Sequence, residues 1–209
     1  MLDETEWPIA NYAAPKPTDA EKRAKREAKG KKYDRSRLKV DPSDNAGVTA
    51  LGDVADLTIP AFPVMQSTAI IIGEIIAAEA YLSNDKTGIY SEFTIHIDEV
   101  FKNAGGYSLV SGGTVEAERE GGRVRFPSGR IQRFSLDRLR MPRLGRRYIL
   151  FLTSDNEQGF HILTGYELQQ SKVLPLDDLP YTKSYKNVDE ASFLSELRER
   201  LTTNSSSTK

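Results

Sequence analysis

The sequence predicts a mainly β protein: a small, curved antiparallel barrel with one C-terminal amphipathic helix and a disordered basic N-terminal arm. Three observations lead to this prediction. Residues 88–101 alternate apolar and polar side chains, which is typical of a half-buried strand. Other short apolar segments are separated from it by glycine-rich turns. The first 45 residues are instead rich in proline and in basic side chains.

The N-terminal arm, residues 1–45, combines helix-breaking prolines with a basic run. Residues 21–39 contain ten basic and three acidic side chains and almost no apolar face. A local helix is possible over residues 18–28, because Thr18 and Glu21 fit a capping box. Since that helix has no apolar face to bury, we predict a disordered basic arm, which is either a solvated linker or a site for an anionic partner. Residues 46–66 are predicted to be an extended lead-in.

Residues 67–180 are predicted to form the barrel. Residues 67–82 are apolar on both parities, as in a strand covered on both faces, and Gly73 indicates a bulge or bend. A turn at 83–88 joins this strand to residues 88–101 as an antiparallel hairpin. Further strands are expected at 114–120, at 123–134 as a hairpin, and at 145–153, 160–163 and 166–173. An OB-like barrel fits this pattern best, with a β-sandwich as the alternative.

The C-terminal helix is predicted over residues 187–202, packed on the barrel. Its apolar residues recur at spacings of three and four: Val188, Ala191, Leu194, Leu197 and Leu201. Asn187 is the predicted N-cap. Residues 203–209 are predicted to be a disordered tail.

The composition excludes several functional classes. Because the chain has no cysteine, it forms no disulfide, no thiolate metal site and no cysteine nucleophile. No apolar run approaches the roughly 20 residues of a membrane helix, so we expect no membrane span. The start, Met-Leu-Asp-Glu, lacks the pattern of a secretory signal. We find no phosphate-binding, dinucleotide or hydrolase motif, so we expect no cofactor and no catalysis.

An arginine-rich stretch, residues 119–147, holds ten arginines, no lysine and two carboxylates. The planar guanidinium group binds carboxylates and phosphates at two points and stacks on flat rings. We predict a binding surface formed by Arg123, Arg125, Arg130 and Arg133, with Phe126 and Phe134 as stacking residues. The predicted partner is an acidic protein, an acidic polysaccharide or a nucleic acid.

Two other interpretations stay open at this point. In the first, the arginines pair with outward carboxylates, and the protein is a structural or envelope-associated domain without a dedicated ligand. The carboxylates available for this pairing are Glu92, Asp98, Glu99, Glu116, Glu118 and Glu120. In the second, His96, Asp98 and His161 form the metal site of an enzyme, although no ligand spacing demands one. The sequence does not indicate an oligomeric state.

Several segments together resemble small bacterial, often exported barrel proteins. They are IIIGEIIAAEAYL, YSEFTIHIDEVFKN, GGTVEAEREGG, GRRYILFL and FHILTGYEL, within residues 68–176. Their layout is similar to the OB-like barrel of the netrin/tissue-inhibitor class. The resemblance implies that fold and export to the periplasm, whereas the missing signal pattern leaves the cytoplasm as the alternative. It implies no inhibitory chemistry, because the cysteines of that family have no counterpart here.

Overall fold

A computed structural model of the 209-residue chain describes residues 6–34, 40, 50–52, 58–154 and 159–206, with only the backbone described for 50–52 and 204–206. The described residues are mainly β, as predicted, and their strands form two sheets, one of four strands and one of seven. The chain divides into two compact units. Unit 1 lies within residues 1–55, 78–93 and 118–143, and unit 2 within 56–77, 94–117 and 144–209.

Eleven strands and two α helices are described. In chain order they are β1 (Ile9–Asn11), α1 (Ala20–Tyr33), β2 (Ala50–Gly52), β3 (Ala69–Leu82), β4 (Ile89–Asn103), β5 (Thr114–Glu120), β6 (Gly122–Arg125), β7 (Ile131–Leu136), β8 (Arg147–Ser154), β9 (Phe160–Gln169), β10 (Lys172–Pro175), β11 (Val188–Asp189) and α2 (Glu190–Ser206). A 3₁₀ helix covers Pro180–Tyr185. The larger sheet has the order β11-β10-β9-β5-β4-β3-β8, with an additional pairing between β9 and β8. The smaller sheet has the order β1-β6-β7-β2.

Strand β3 begins with four apolar residues that are all buried, as expected for a strand covered on both faces. Ala69 through Ile72 have exposed fractions of 3% or less. Gly73 follows in regular register with β8, opposite Tyr148, so it does not mark a bulge against that strand. A Cβ atom on Gly73 would lie 2.4 Å from the carbonyl oxygen of His96. Glycine therefore permits the close approach of two backbones.

Helix α2 packs on the hydrophobic core of unit 2. Phe193 and Leu197 are fully buried there. The Phe193 ring centroid lies 4.5 Å from that of Tyr166 and 4.7 Å from that of Phe62. Full burial of one such side chain contributes about 2–3 kcal/mol to folding. The sequence pattern identified Leu197 but missed Phe193.

The ends of α2 differ from the prediction. The helix begins at Glu190, and Asn187 instead has a positive φ of 65°. Asp189 has the capping role, because its Oδ2 accepts a hydrogen bond from the backbone N–H of Ser192 at 3.1 Å. This bond lowers the pKa of Asp189. At the other end α2 continues through residues 203–206 of the predicted tail, while residues 207–209 lie outside the described residues.

The smaller sheet contains the predicted arginine-rich hairpin, β6 and β7. The prediction placed this hairpin in the barrel, but it pairs instead with two segments from the N-terminal part of the chain. Ile9 of β1 lies opposite Arg123, and Ala50 of β2 lies opposite Phe134; both pairings are parallel. The hairpin has one apolar face, and Ala10 and Ile89 help to cover it. Burial of that face explains why the N-terminal segment packs here.

Residues 6–34 differ from the disordered arm that the composition predicts, because they form β1 and α1. Residues 1–5, 35–39 and 41–45 of the predicted arm lie outside the described residues. The N-cap of α1 is Asp19 rather than Thr18; its Oδ1 accepts a hydrogen bond from the Lys22 backbone N–H at 2.8 Å. Tyr33 at the last position of α1 is buried. The carboxylates that bind α1 are distant in sequence, so local composition could not indicate them.

Candidate interaction surface

The arginine-rich stretch is divided between the two units. Arg146 and Arg147 belong to unit 2, whereas the arginines from Arg119 to Arg143 belong to unit 1. In unit 2, Arg147 Nε lies 2.8 Å from Asp98 Oδ2, so one of the predicted arginine–carboxylate pairs is present. A second arginine of unit 2, Arg198 of α2, also lies close to one of the predicted carboxylates. Its Nη2 is 3.4 Å from Glu99 Oε1.

The hairpin in unit 1 places three arginines on one side of the sheet. The register sets Arg123 opposite Arg133 and Arg125 opposite Ile131. Val124 between them points to the core and is fully buried, whereas Arg125 is exposed. We call the outward side formed by Arg123, Arg125 and Arg133 the arginine face.

Positive charge is concentrated around Arg133. Burial lowers its pKa, and the positive charge of Arg140 lowers it further. Arg119 binds the backbone of Arg140, because its Nη1 donates a hydrogen bond to the Arg140 backbone oxygen at 2.6 Å. Arg123 lies opposite Arg133 in the strand register. The arginine face therefore brings like charges close together.

Phe126 and Phe134 do not belong to the arginine face. They are 3% and 0% exposed and pack in the core of unit 1 together with Val124. The prediction that they stack on a ligand is therefore corrected, because core contacts cover both rings. Arg130 lies at the hairpin turn, with its guanidinium carbon 4.7 Å from the Phe126 ring centroid. The structure thus brings together three of the four predicted arginines.

Two residues that the sequence did not identify contact this surface. Glu6 Oε2 lies 3.6 Å from Arg143 Nη1. Trp7 is 4% exposed, and the Arg133 guanidinium carbon lies 5.4 Å from the centroid of its ring. One signal could have found them: the single tryptophan of the chain follows three carboxylates within four residues, Asp3, Glu4 and Glu6.

The carboxylates predicted to pair with the hairpin arginines bind helix α1 in two cases. Arg26 Nη1 and Lys29 Nζ lie 3.3 and 3.1 Å from Glu92 Oε1. Lys32 Nζ lies 2.6 Å from Glu118 Oε1, and the Glu118 side chain is 3% exposed. The basic residues of α1 thus bind the acidic side chains of β4 and β5. This pairing explains why so polar a helix is ordered.

Aromatic side chains complete the contact of α1. The rings of Tyr33 and Tyr90 stack with centroids 4.3 Å apart and an angle of 9° between their planes. Burial raises the pKa of Tyr90 to about 12, against the opposing effect of a hydrogen bond from Arg26. Burial, followed by the charge of Glu118, also raises the pKa of Tyr33.

His96, Asp98 and His161 do not come together as a metal site among the described residues. His96 Nδ1 lies 3.4 Å from Asp98 Oδ1, and Asp98 also binds Arg147. Within the described part of the chain, no three histidine or carboxylate side chains lie together as a metal site. In the same residues, no helix is long and apolar enough to cross a membrane.

Comparison of the chain with protein-family models, with curated proteins and with solved structures finds no match. The resemblance to OB-like barrel proteins therefore stays a prediction.

Proposed function

We propose that this chain is a non-catalytic binding module whose arginine face binds an anionic partner. The observation that carries the proposal is the pairing of Arg123 with Arg133 directly across the hairpin. Like charges in opposite positions destabilise a pair of strands. Natural proteins tolerate such locally unfavourable choices mainly at functional sites. An anion bound between the two guanidinium groups would contact both of them.

Two further features support this function. The lowered pKa of Arg133 reflects its burial and the charge of Arg140, so an incoming carboxylate or phosphate would meet a site of positive potential. Arginine is also better suited than lysine to hold a planar or tetrahedral anion at two points. The stretch from Arg119 to Arg143 contains no lysine.

We also propose that β3, β4, β5, β8 and β9 form an OB-like barrel. Support comes from the strand order, in which each of these five strands pairs with two of the others: β3 with β4, β4 with β5, β5 with β9, β9 with β8 and β8 with β3. Such a cyclic order is the general requirement for a small barrel. A high-resolution experimental structure would test the proposal, and a flat sheet with a free β8 edge would contradict it.

The binding function is tested with the double variant Arg123→Gln/Arg133→Gln. Its matched control is Arg147→Gln/Arg198→Gln, which removes the same charge from unit 2. The probes are polyglutamate, heparin and a single-stranded oligonucleotide, measured at 50 and 200 mM salt. Three arginine–phosphate contacts would weaken oligonucleotide binding about 20-fold between the two salt concentrations. We expect the first variant to lose this binding and its salt dependence, and the control to keep both.

A specific observation favours the alternative of a purely structural domain. Glu6 and Trp7 of the same chain already contact Arg143 and Arg133. If the arginines serve only these internal contacts, the two double variants will bind each of the three probes equally well, or no probe will bind to either variant. Either result would contradict the binding function.

A further inference from the structure

The segment around β1 occupies the arginine face as a ligand would. Its backbone extends the sheet along the outer edge of β6, parallel to it. Beyond the paired residues, the Arg123 N–H donates to the Pro8 carbonyl at 2.9 Å, and the Tyr12 N–H donates to the Arg125 carbonyl at 3.0 Å. The same two arginines that supply the positive charge thus hold the segment through their backbone.

The side chains of this segment match the chemistry of the face. Glu6 supplies a carboxylate to Arg143, and Trp7 supplies a flat ring to Arg133. Ile9 and Asn11 lie opposite Arg123 and Arg125 in the strand register. An extended backbone in β1 and, directly before it, a carboxylate and an aromatic ring are therefore bound together.

The segment also ends at a turn directly after β1, so it is a short unit that a similar peptide can replace. The chain turns away directly after β1, where the backbone N–H groups of Ala13 and Ala14 donate to the side-chain and backbone oxygens of Asn11, both at 3.0 Å. Strand β1 has only three residues, and the Glu6 side chain is 48% exposed. Its attachment to the same chain keeps the effective concentration of this short edge strand high, which adds to the apolar burial of Trp7 and Ala10.

We propose that residues 6–11 are an internal stand-in for the true partner, which is another protein that presents an extended acidic segment with an aromatic residue. The partner segment replaces β1 beside β6 and places its carboxylates and its ring among the arginines. This inference rests on the proposed function, since it names the partner of the same arginine face. Charge complementarity and the internal example favour an acidic peptide over a nucleic acid.

The single tryptophan makes the exchange directly observable. Trp7 is buried against Arg133, and no other tryptophan contributes to the fluorescence of the chain. The probe is a synthetic peptide with the sequence of residues 1–14 in which phenylalanine replaces the tryptophan. When this peptide is added to the full chain, we expect a red shift of the Trp7 emission and stronger quenching by acrylamide. A saturating peptide that leaves the emission unchanged would overturn the proposal.

Variants of the internal segment test the competition. A fluorescein-labelled peptide of residues 1–14 is titrated into the wild type, into Glu6→Gln and into Glu6→Gln/Trp7→Ala. We expect about threefold tighter binding to the first variant and tenfold or more to the second, because the internal competitor is weakened. If the loss of Trp7 unfolds the chain, Glu6→Gln alone still tests the competition, because Glu6 is exposed. The matched control, Glu199→Gln/Tyr181→Ala, removes an exposed carboxylate and an exposed ring from unit 2 and should bind like the wild type.

Two controls separate this inference from the proposed function. A scrambled peptide of the same composition measures charge alone, and the oligonucleotide measures general affinity for anions. If polyglutamate and the oligonucleotide bind in an arginine-dependent way, but the peptide binds no better than its scrambled form, the inference fails and the proposed function stands. If no probe depends on Arg123 and Arg133, the proposed function fails as well. A concentration-dependent dimer that disappears in Glu6→Gln/Trp7→Ala would assign the segment to a second copy and overturn the inference.

Discussion

The arginines of the two units are used differently. In unit 2, Arg147 and Arg198 each lie close to a carboxylate of β4, Asp98 and Glu99. In unit 1, Arg123 faces Arg133 across a hairpin, and Arg140 adds to the positive charge on Arg133. Arg147 and Arg198 thus join opposite charges, whereas the hairpin of unit 1 sets two arginines opposite each other.

This difference separates two roles that the sequence shows as one continuous arginine-rich stretch. Ion pairs such as Arg147–Asp98 are complete within the chain and need no partner. A face that gathers guanidinium groups has a positive potential that attracts an anion. Helix α1 sharpens the contrast, because its own cations bind Glu92 and Glu118, two acidic residues of the same unit.

The largest expected effect tests whether Phe134 belongs to the core of unit 1 or to the arginine face. Phe134 is fully buried. We expect Phe134→Ala to lower the free energy of unfolding by about 3–5 kcal/mol, because it leaves a cavity in the core. Urea denaturation measures the loss, and Phe193→Ala in unit 2 is the matched control, with a similar expected loss. A loss below about 1 kcal/mol, together with weaker binding of the probes, would show that Phe134 belongs to the arginine face.

The next prediction concerns the claim that α1 binds the carboxylates of unit 1. The variant Lys32→Met removes the cation 2.6 Å from the buried Glu118 carboxylate. We expect a loss of about 2–3 kcal/mol in the free energy of unfolding, because a buried charge loses its partner. The control Lys16→Met breaks a pair with Glu27 in which both side chains are exposed, and should leave stability unchanged. Equal stability of the two variants would contradict the claim that the pair of Lys32 with Glu118 holds α1 in place.

The sequence predicts those features of the fold and of the site whose signal lies in neighbouring residues. Strand periodicity in β4 and the apolar run of β3 identified the main strands, because burial of one or both faces leaves a direct pattern. The arginines of the hairpin were identified from the local composition, ten arginines without a lysine in residues 119–147. By contrast, α1 was predicted to be disordered, because its partners are distant in sequence. Glu92 lies 66 residues from Arg26, and Glu118 lies 86 residues from Lys32. The burial of Phe134 and the docking of Trp7 likewise depend on strand pairings that no local pattern contains.

A pH dependence follows from the buried tyrosines of unit 1. The pKa of Tyr90 is raised from 10 to about 12 in the folded protein. A raised pKa favours the neutral form, so its stabilising effect is complete below pH 10 and is lost as the pH rises from 10 towards 12. At pH 11 the loss from Tyr90 is about 1 kcal/mol. We expect Tyr90→Phe to reduce the fall in urea stability between pH 8 and pH 11 by this amount, while Tyr181→Phe on the surface of unit 2 leaves the fall unchanged. An identical fall in all three proteins would contradict the assignment to Tyr90.

The smallest expected effect is a change in the free energy of unfolding that has opposite signs in the two units. It tests the two uses of arginine most directly. In unit 1, Arg133→Gln removes one of two opposed charges, so we expect the protein to become more stable by a few tenths of a kcal/mol. In unit 2, Arg147→Gln removes an ion pair with Asp98, so we expect a loss of up to about 1 kcal/mol.

Paired denaturation curves at 20 and 500 mM salt measure both changes in stability. Salt screens both interactions, so the gain in unit 1 and the loss in unit 2 should each shrink at the higher concentration. Arg133→Lys is the control for loss of the Trp7 contact, because it keeps the charge but not the planar group. If Arg133→Gln destabilises the protein as much as Arg147→Gln, Arg133 is held by attractive contacts within the chain. The arginine face would then be an internal ion-pair network, and the contrast between the two units would disappear.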